Sequence, residues 1–219
     1  MREESVPKII YIMGIDGSGK TTVSEHLEKL LRERGYKVNV MWLRFNHVIT
    51  KPLLAICRLL GLTQYKDHGG IRVGYHNFYR SRIVSWLFVL LQYFDAVRVK
   101  YLRILPKMRG GDSVLILDRY IYDILIDVMV DTRIENLDEG LVGKAFRKLI
   151  PEEALSLLVD RDLAKVLEVR PEGRVDRNFE LKYQYYKKLS ESDLVVTIKN
   201  EGQLDDLLKK VEIQIGLSQ

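Results

Sequence analysis

Apolar residues recur along this chain in two periods, and the two alternate from end to end. Short runs that are apolar throughout read as strands buried on both faces, and longer runs with apolar positions three and four apart read as amphipathic helices. Lys8 to Met13 predicts a strand; Thr22 to Arg34, with Val23, Leu27, Leu30 and Leu31 at helical spacing, predicts a helix that stops at Gly35. Val38 to Leu43 predicts a second strand, and Val48 to Leu60 a helix that tolerates Pro52 near its start. Tyr65 to Gly74, rich in glycine and charge, predicts a loop over a site. Tyr79 to Met108 predicts a long helix, kinked or divided at Pro106 and ended by Gly110-Gly111. Val114 to Leu117 predicts a strand running into Asp118, followed by helices over Tyr122–Met129 and Glu139–Leu149. Ala154 to Val159 and Leu194 to Ile198 predict two more strands, with helices over Phe179–Leu189 and Gln203–Ile215.

Strands alternating with helices at this spacing imply βαβ units, and so an α/β fold with a five-stranded parallel sheet covered by helices on both sides. The 219 residues suit a single domain, 1–219. Ligands of such sheets sit beyond the carboxyl ends of the strands, so the segments after Met13, Leu43, Leu117, Val159 and Ile198 should converge on one site.

The first of those segments reads Gly14-Ile15-Asp16-Gly17-Ser18-Gly19-Lys20-Thr21, which is G-x-x-x-x-G-K-[ST], with Thr22 beginning the helix behind it. Strand, glycine loop and helix form the context this phosphate-wrapping loop requires. The glycines let backbone approach a phosphate, and the loop N–H groups and helix N-terminus offer donors and a positive dipole. Lys20 would reach the β- and γ-phosphates and the Thr21 hydroxyl would hold Mg²⁺. The three-layer α/β/α P-loop NTPase fold follows as the expectation, with ATP and Mg²⁺ as its cofactors. Asp118-Arg119-Tyr120, after an apolar strand, adds a carboxylate where a Mg²⁺-associated acid belongs and an arginine able to grip a phosphate.

Composition narrows the picture only slightly. A hydrophobic content of 47% and charged content of 30% are ordinary for a globular protein. The net charge of +5 suits a protein that handles polyanions, and nucleotide phosphates explain it as well as nucleic acid does. Cys57, the single cysteine, excludes an internal disulfide and suits a reducing compartment, the cytoplasm being expected. The chain opens on an acidic segment without the pattern of a signal peptide. Ile83 to Phe94 is too short to span a bilayer, so a buried core helix is expected rather than a membrane segment. The four histidines show no metal-ligand spacing.

Together, the loop from Gly14 to Thr22 and the Asp118-Arg119-Tyr120 triplet resemble the signatures of thymidylate kinases, and the likeness covers nearly the whole chain in element order. That resemblance implies transfer of the γ-phosphoryl of ATP to the 5′-phosphate of a pyrimidine deoxynucleotide, with a small-molecule substrate, no nucleic-acid partner and a homodimer. The family's phenylalanine and arginine four residues apart on one helix, which meet the thymine base, match Phe94 and Arg98. The plain alternative is a core Phe94 and a solvated Arg98. Asp16 matches an acid that lies near the acceptor's sugar. The basic segment of about 161–178, with Arg161, Lys165, Arg170, Arg174 and Arg177, resembles the family's mobile lid. Since Gly17 stands where some members carry arginine, Arg170, Arg174 and Arg177 are the candidates for neutralising the transferred charge, unranked by sequence.

One place departs from the family. The turn after the second strand is Leu43-Arg44-Phe45-Asn46-His47, without the family's proline and acid, so Arg44 is the candidate grip on the acceptor phosphate. Three competing readings remain: a P-loop kinase of a neutral hydroxyl, such as a deoxynucleoside or sugar, a non-catalytic nucleotide-binding regulator, and a basic nucleic-acid binder with salt-steep affinity. The first needs a carboxylate base near that turn, where Asn46 and His47 stand but no Asp or Glu. The second would show a degraded lid or no Asp118-Arg119 pair.

Overall fold

The computed structural model describes residues 6–44, 46–68, 71–108 and 113–217. In chain order the elements are β1 (Ile9–Met13), α1 (Lys20–Glu33), β2 (Lys37–Trp42), α2 (Lys51–Leu59), β3 (Thr63–His68), β4 (Ile71–His76), α3 (Arg82–Val99), α4 (Leu105–Met108) and β5 (Ser113–Asp118). Then follow α5 (Ile121–Thr132), α6 (Leu141–Arg147), β6 (Ala154–Asp160), α7 (Leu163–Val169), α8 (Phe179–Ser190), β7 (Val196–Lys199) and α9 (Leu204–Gln214).

β1 is buried along its whole length, and the alternation of its side chains divides the core into two layers. Ile9, Tyr11 and Met13 enter one cluster; Ile10 and Ile12 enter the other. Each such side chain contributes about 1.5–3 kcal/mol by leaving water. Around β1 the sheet runs in the order β2-β5-β1-β6-β7, with all pairings parallel. Helices α1 and α9 cover one face through Val23, Leu27, Leu31, Leu207 and Val211. Helices α3, α5 and α8 cover the other through Phe88, Val99, Leu125 and Tyr186. This is a three-layer α/β/α architecture of the P-loop NTPase kind. β1 lies between β5 and β6, so the loops leaving these three strands emerge side by side.

Three expectations need correction. The predicted loop at Tyr65–Gly74 falls within an antiparallel hairpin, with Thr63 opposite His76 and Tyr65 opposite Gly74. Gln64, Tyr65, Lys66 and Asp67 are exposed one after another, so β3 carries no period of two to read. The long helix divides before Pro106 rather than at it: residues 100–104 widen into a π-turn in which the Leu105 N–H reaches the Lys100 carbonyl. Pro106 has no N–H to donate and its ring crowds the preceding turn, so the widened register just upstream accommodates it. The expected stop at Gly110-Gly111 lies outside the described residues.

The stretch Ile83–Phe94 is only half a core helix. Phe88, Val89 and Gln92 are buried, whereas Ile83 is 80% exposed and Trp86, Leu87, Leu90 and Phe94 are also exposed. No helix among the described residues is long and apolar enough to cross a membrane.

Candidate active site

The loop between β1 and α1 needs its glycines. Gly14, Gly17 and Gly19 all have positive φ. At Gly14 a Cβ would lie 2.6 Å from the Val159 carbonyl oxygen, so any side chain would force the loop off β6. Asn200, just beyond β7, donates to the Ser18 carbonyl at 2.7 Å, and Arg161, just beyond β6, donates to the Gly17 carbonyl at 3.1 Å. Lys20 folds back onto the loop, its Nζ donating to the Ile15 carbonyl at 2.6 Å. Burial brings its pKa down to about 7, with Arg119 lowering it further and Asp16 opposing.

β5 delivers the facing pair. Arg119 takes a left-handed backbone (φ +65), unusual for a residue with a side chain. Its N–H extends the β1 ladder by donating to Ile12 at 3.0 Å before the chain turns into α5. The guanidinium, 6% exposed, pairs with Asp16 and lies 3.5 Å from Asp123. Asp123 is itself a buried hub: it accepts from Tyr11 at 2.9 Å, from Tyr186 at 2.7 Å and from the Tyr120 N–H at 3.1 Å. Beside it, Asp118 Oδ1 is buried without a hydrogen-bond partner, and burial raises this carboxyl above its ordinary range.

Two cavities open at these strand ends. One, of about 390 Å³, is lined by Asp16, Gly17, Gly19, Lys20, Thr21, Thr22, Arg44, Asp118, Arg119, Arg161 and Arg170. The other, of about 270 Å³, is lined from α3 by Phe88, Gln92 and Asp95, from α5 by Asp127 and Asp131, from α8 by Lys182, and by Arg44, His47 and His76. Arg44 borders both. It reaches Asp16 at 3.0 Å with Nη1 and Asp127 at 3.2 Å with Nε, while Lys182 holds Asp127 at 2.8 Å. A chain of alternating charge therefore runs Arg119–Asp16–Arg44–Asp127–Lys182 from one cavity to the other. Burial works to raise the Asp16 carboxyl, but Arg119, Arg44 and Lys20 outweigh it and hold the acid well below the carboxylate range. The same contest at Asp127 is won by Lys182 and Arg44.

No family model matches this sequence. Among curated proteins it is similar to a probable thymidylate kinase of Archaeoglobus fulgidus, 26% identical over 176 residues that span 80% of this chain and 76% of that protein. With a glycine loop, its lysine and the Asp118-Arg119 pair in place, this similarity supports a nucleotide kinase.

The structure brings most of the sequence candidates together, but not all. Asp16, Gly17, Gly19, Lys20, Thr21, Thr22, Arg44, Asp118, Arg119 and Arg170 line the first cavity. Ser18, within the loop, is fully buried. Phe94 and Arg98 do not line the second. Phe94 is 47% exposed and its ring meets that of Tyr93 in a T-shaped arrangement, and Arg98 donates to the Asn46 carbonyl at 3.0 Å. Helical geometry gives the reason: Phe88, Gln92, Asp95 and Ala96 share the cavity face of α3, and Phe94 projects from the other side. Arg174 is exposed and lines neither cavity. Arg177 lies over the Tyr75 ring at 4.5 Å and donates to Asn77, which ties the end of the basic segment to the β3–β4 hairpin.

Several residues of the site went unread in the sequence. Asp123, Asp127 and Asp131 recur every fourth position on an otherwise apolar α5, a stripe of acid on one face that periodicity could have flagged. Asp127 also supplies the carboxylate that seemed missing after the second strand; it comes from α5 instead. Gln92, Lys182 and Asn200 had no local signal.

Proposed function

We propose that the protein is an ATP-dependent nucleoside monophosphate kinase, with dTMP and ATP as substrates and dTDP and ADP as products. The observation that carries this reading is Arg44 on the shared wall of two cavities, one built around the phosphate loop and the other large enough to seat a nucleoside. The triphosphate occupies the first cavity, its phosphates taken by the loop amides and Lys20. The acceptor occupies the second, its phosphate drawn to Arg44 and Arg119. Asp16 belongs to the same junction and keeps both guanidiniums aimed there.

The residues present fit Mg²⁺. Asp118 Oδ1 is buried and unpartnered, and Thr21 lines the same cavity; one carboxylate and a hydroxyl suffice for an ion that arrives on nucleotide phosphates. When bound, the ion neutralises charge on the β- and γ-phosphate oxygens. The chain's own part is electrostatic. Arg170 and Arg161 at the mouth of the first cavity, within a basic lid of about 161–178, offset charge on the transferred group, and Arg119 aligns the attacking oxygen. That oxygen is already anionic, so no general base is needed.

Asp127 keeps the hydroxyl-kinase reading in view, since a carboxylate does stand beside Arg44. Its two oxygens are engaged by Arg44 and Lys182, which hold it near pKa 2 and make it a poor base. The exposed apolar stripe of α3, with Ile83, Leu87, Leu90 and Phe94, supports a homodimer. The function is tested by ADP release from ATP against a panel of nucleoside monophosphates and nucleosides. Turnover with monophosphates, dTMP foremost, is expected; turnover restricted to unphosphorylated acceptors assigns the hydroxyl reaction instead.

A further inference from the structure

Successive residues of β4 serve two faces in turn. Gly74 and His76 line the second cavity, whereas Tyr75 between them, 2% exposed, turns away from it. The Tyr75 ring carries the Arg177 guanidinium at 4.5 Å, and Asn77, fully buried just past the strand, accepts a hydrogen bond from the same group. The Tyr75 hydroxyl also donates to the Val175 carbonyl at 3.4 Å. On either side of Arg177, Asp176 and Asn178 line the second cavity alongside Gly74 and His76. Asn178 Oδ1 accepts from Arg133, just past the end of α5, at 2.6 Å. The end of the basic segment and the hairpin therefore form one wall of that cavity, and Arg177 fastens the two together.

From that wall the chain runs back to the phosphate loop through tight turns. The Phe179 N–H donates to the Asp176 carbonyl at 3.0 Å, the Asp176 and Val175 N–H groups to Glu172 at 3.1 and 3.2 Å, and the Gly173 N–H to Arg170 at 2.9 Å. A Cβ at Gly173 would lie 2.8 Å from Leu167 and 2.9 Å from Phe179, so the turn is packed between α7 and α8. Arg170, at its start, lines the first cavity and lies against the loop, where a Cβ at Gly17 would come 2.8 Å from its Cγ. We propose that Arg177 is a positioning residue: by fastening this segment to Tyr75 and Asn77 it holds Arg170 over the phosphate loop, and it does not itself neutralise the transferred charge. The proposal rests on the kinase reading above, in which Arg170 offsets that charge. Arg177 lines neither cavity, and the hairpin takes both the face of its guanidinium and a donor on its edge. A planar guanidinium can stack and donate at once, which a lysine ammonium cannot reproduce.

The test is a set of kcat and KM values, with ATP and dTMP, for Tyr75→Leu, Arg177→Met, Arg170→Met and the double variant Arg170→Met/Arg177→Met. An arginine that meets the transferred phosphoryl is worth about 10³–10⁵ in kcat, whereas a group misplaced by about 1 Å costs about a hundredfold. Tyr75→Leu and Arg177→Met should each lower kcat by roughly ten- to a hundredfold, while the KM for ATP changes by less than about threefold. Once Arg170 is gone, removing Arg177 as well should cost less than about twofold more, because the second residue acts through the first. The Arg170–Arg177 cycle involves two exposed side chains, so it decides the matter even if Tyr75→Leu, at a buried position, folds poorly. Full kcat in Arg177→Met, or losses at Arg170 and Arg177 that multiply, overturn the proposal and leave the kinase reading intact. Absence of turnover with every nucleoside monophosphate overturns both.

Discussion

Lys20 sits where burial has brought its ammonium close to neutrality, with a pKa of about 7 and its Nζ donating to a loop carbonyl. Triphosphate oxygens in the loop would favour the charged form strongly. At pH 8 the free protein is mostly neutral at Lys20, so binding of ATP should draw in nearly one proton. Calorimetric titration in two buffers of different ionisation enthalpy measures that uptake; a binding heat independent of buffer would rule it out. Asp131 is the opposite case. Burial pushes its carboxyl up to about 8, with Asp127 adding to the shift and Lys182 opposing it. An unfolded aspartate titrates near 3.9. Between about pH 4 and 8 the folded chain therefore keeps a proton that the unfolded chain has released, and stability falls as pH rises through that window. Asp131→Asn removes the penalty, so thermal unfolding should show the variant gaining on the wild type by at least about 2 °C more at pH 8 than at pH 5. A pH-independent difference would show that Asp131 is ionised throughout.

At the scale of elements, the α5 N-terminus is where fold and site are joined. Asp123 ties β1 through Tyr11, α8 through Tyr186 and the start of its own helix through the Tyr120 N–H, and it steadies Arg119 from behind. Asp123→Asn should cost about 3 kcal/mol of stability, read by urea denaturation, because a buried cation and two hydroxyls lose their common acceptor. It should also lower kcat more than it changes the KM for ATP. Unchanged stability would mean that the three tyrosines and Arg119 find other partners. The strands and the phosphate loop were legible because their signals are local: an unbroken apolar run, then glycines and lysine at set spacing. The β3–β4 hairpin was not, since the run of exposed residues from Gln64 to Asp67 shows no alternation. Nor was the second cavity, whose wall joins Gln92, Asp127 and Lys182 from three helices far apart in the chain. A pair at helical spacing such as Phe94 and Arg98 shows a shared face, but not which face meets the cavity.

Across the whole molecule, two cavities share one arginine and one chain of charge. The apolar stripe on the outside of α3 belongs to this scale too. If it pairs two copies, Leu90→Glu, a charge at a half-exposed position, should convert a dimer to a monomer in sedimentation velocity without loss of secondary structure. An unchanged sedimentation coefficient would place any interface elsewhere. Phosphoryl transfer itself is followed through the phosphorus. In a ³¹P NMR time course with ATP, Mg²⁺ and dTMP, a new diphosphate on the thymidine should grow as the γ-phosphate of ATP disappears, and Lys20→Met should abolish it. Loss of the γ-phosphate to inorganic phosphate alone, or its appearance as an ester on a sugar hydroxyl, would rule out a nucleoside monophosphate kinase.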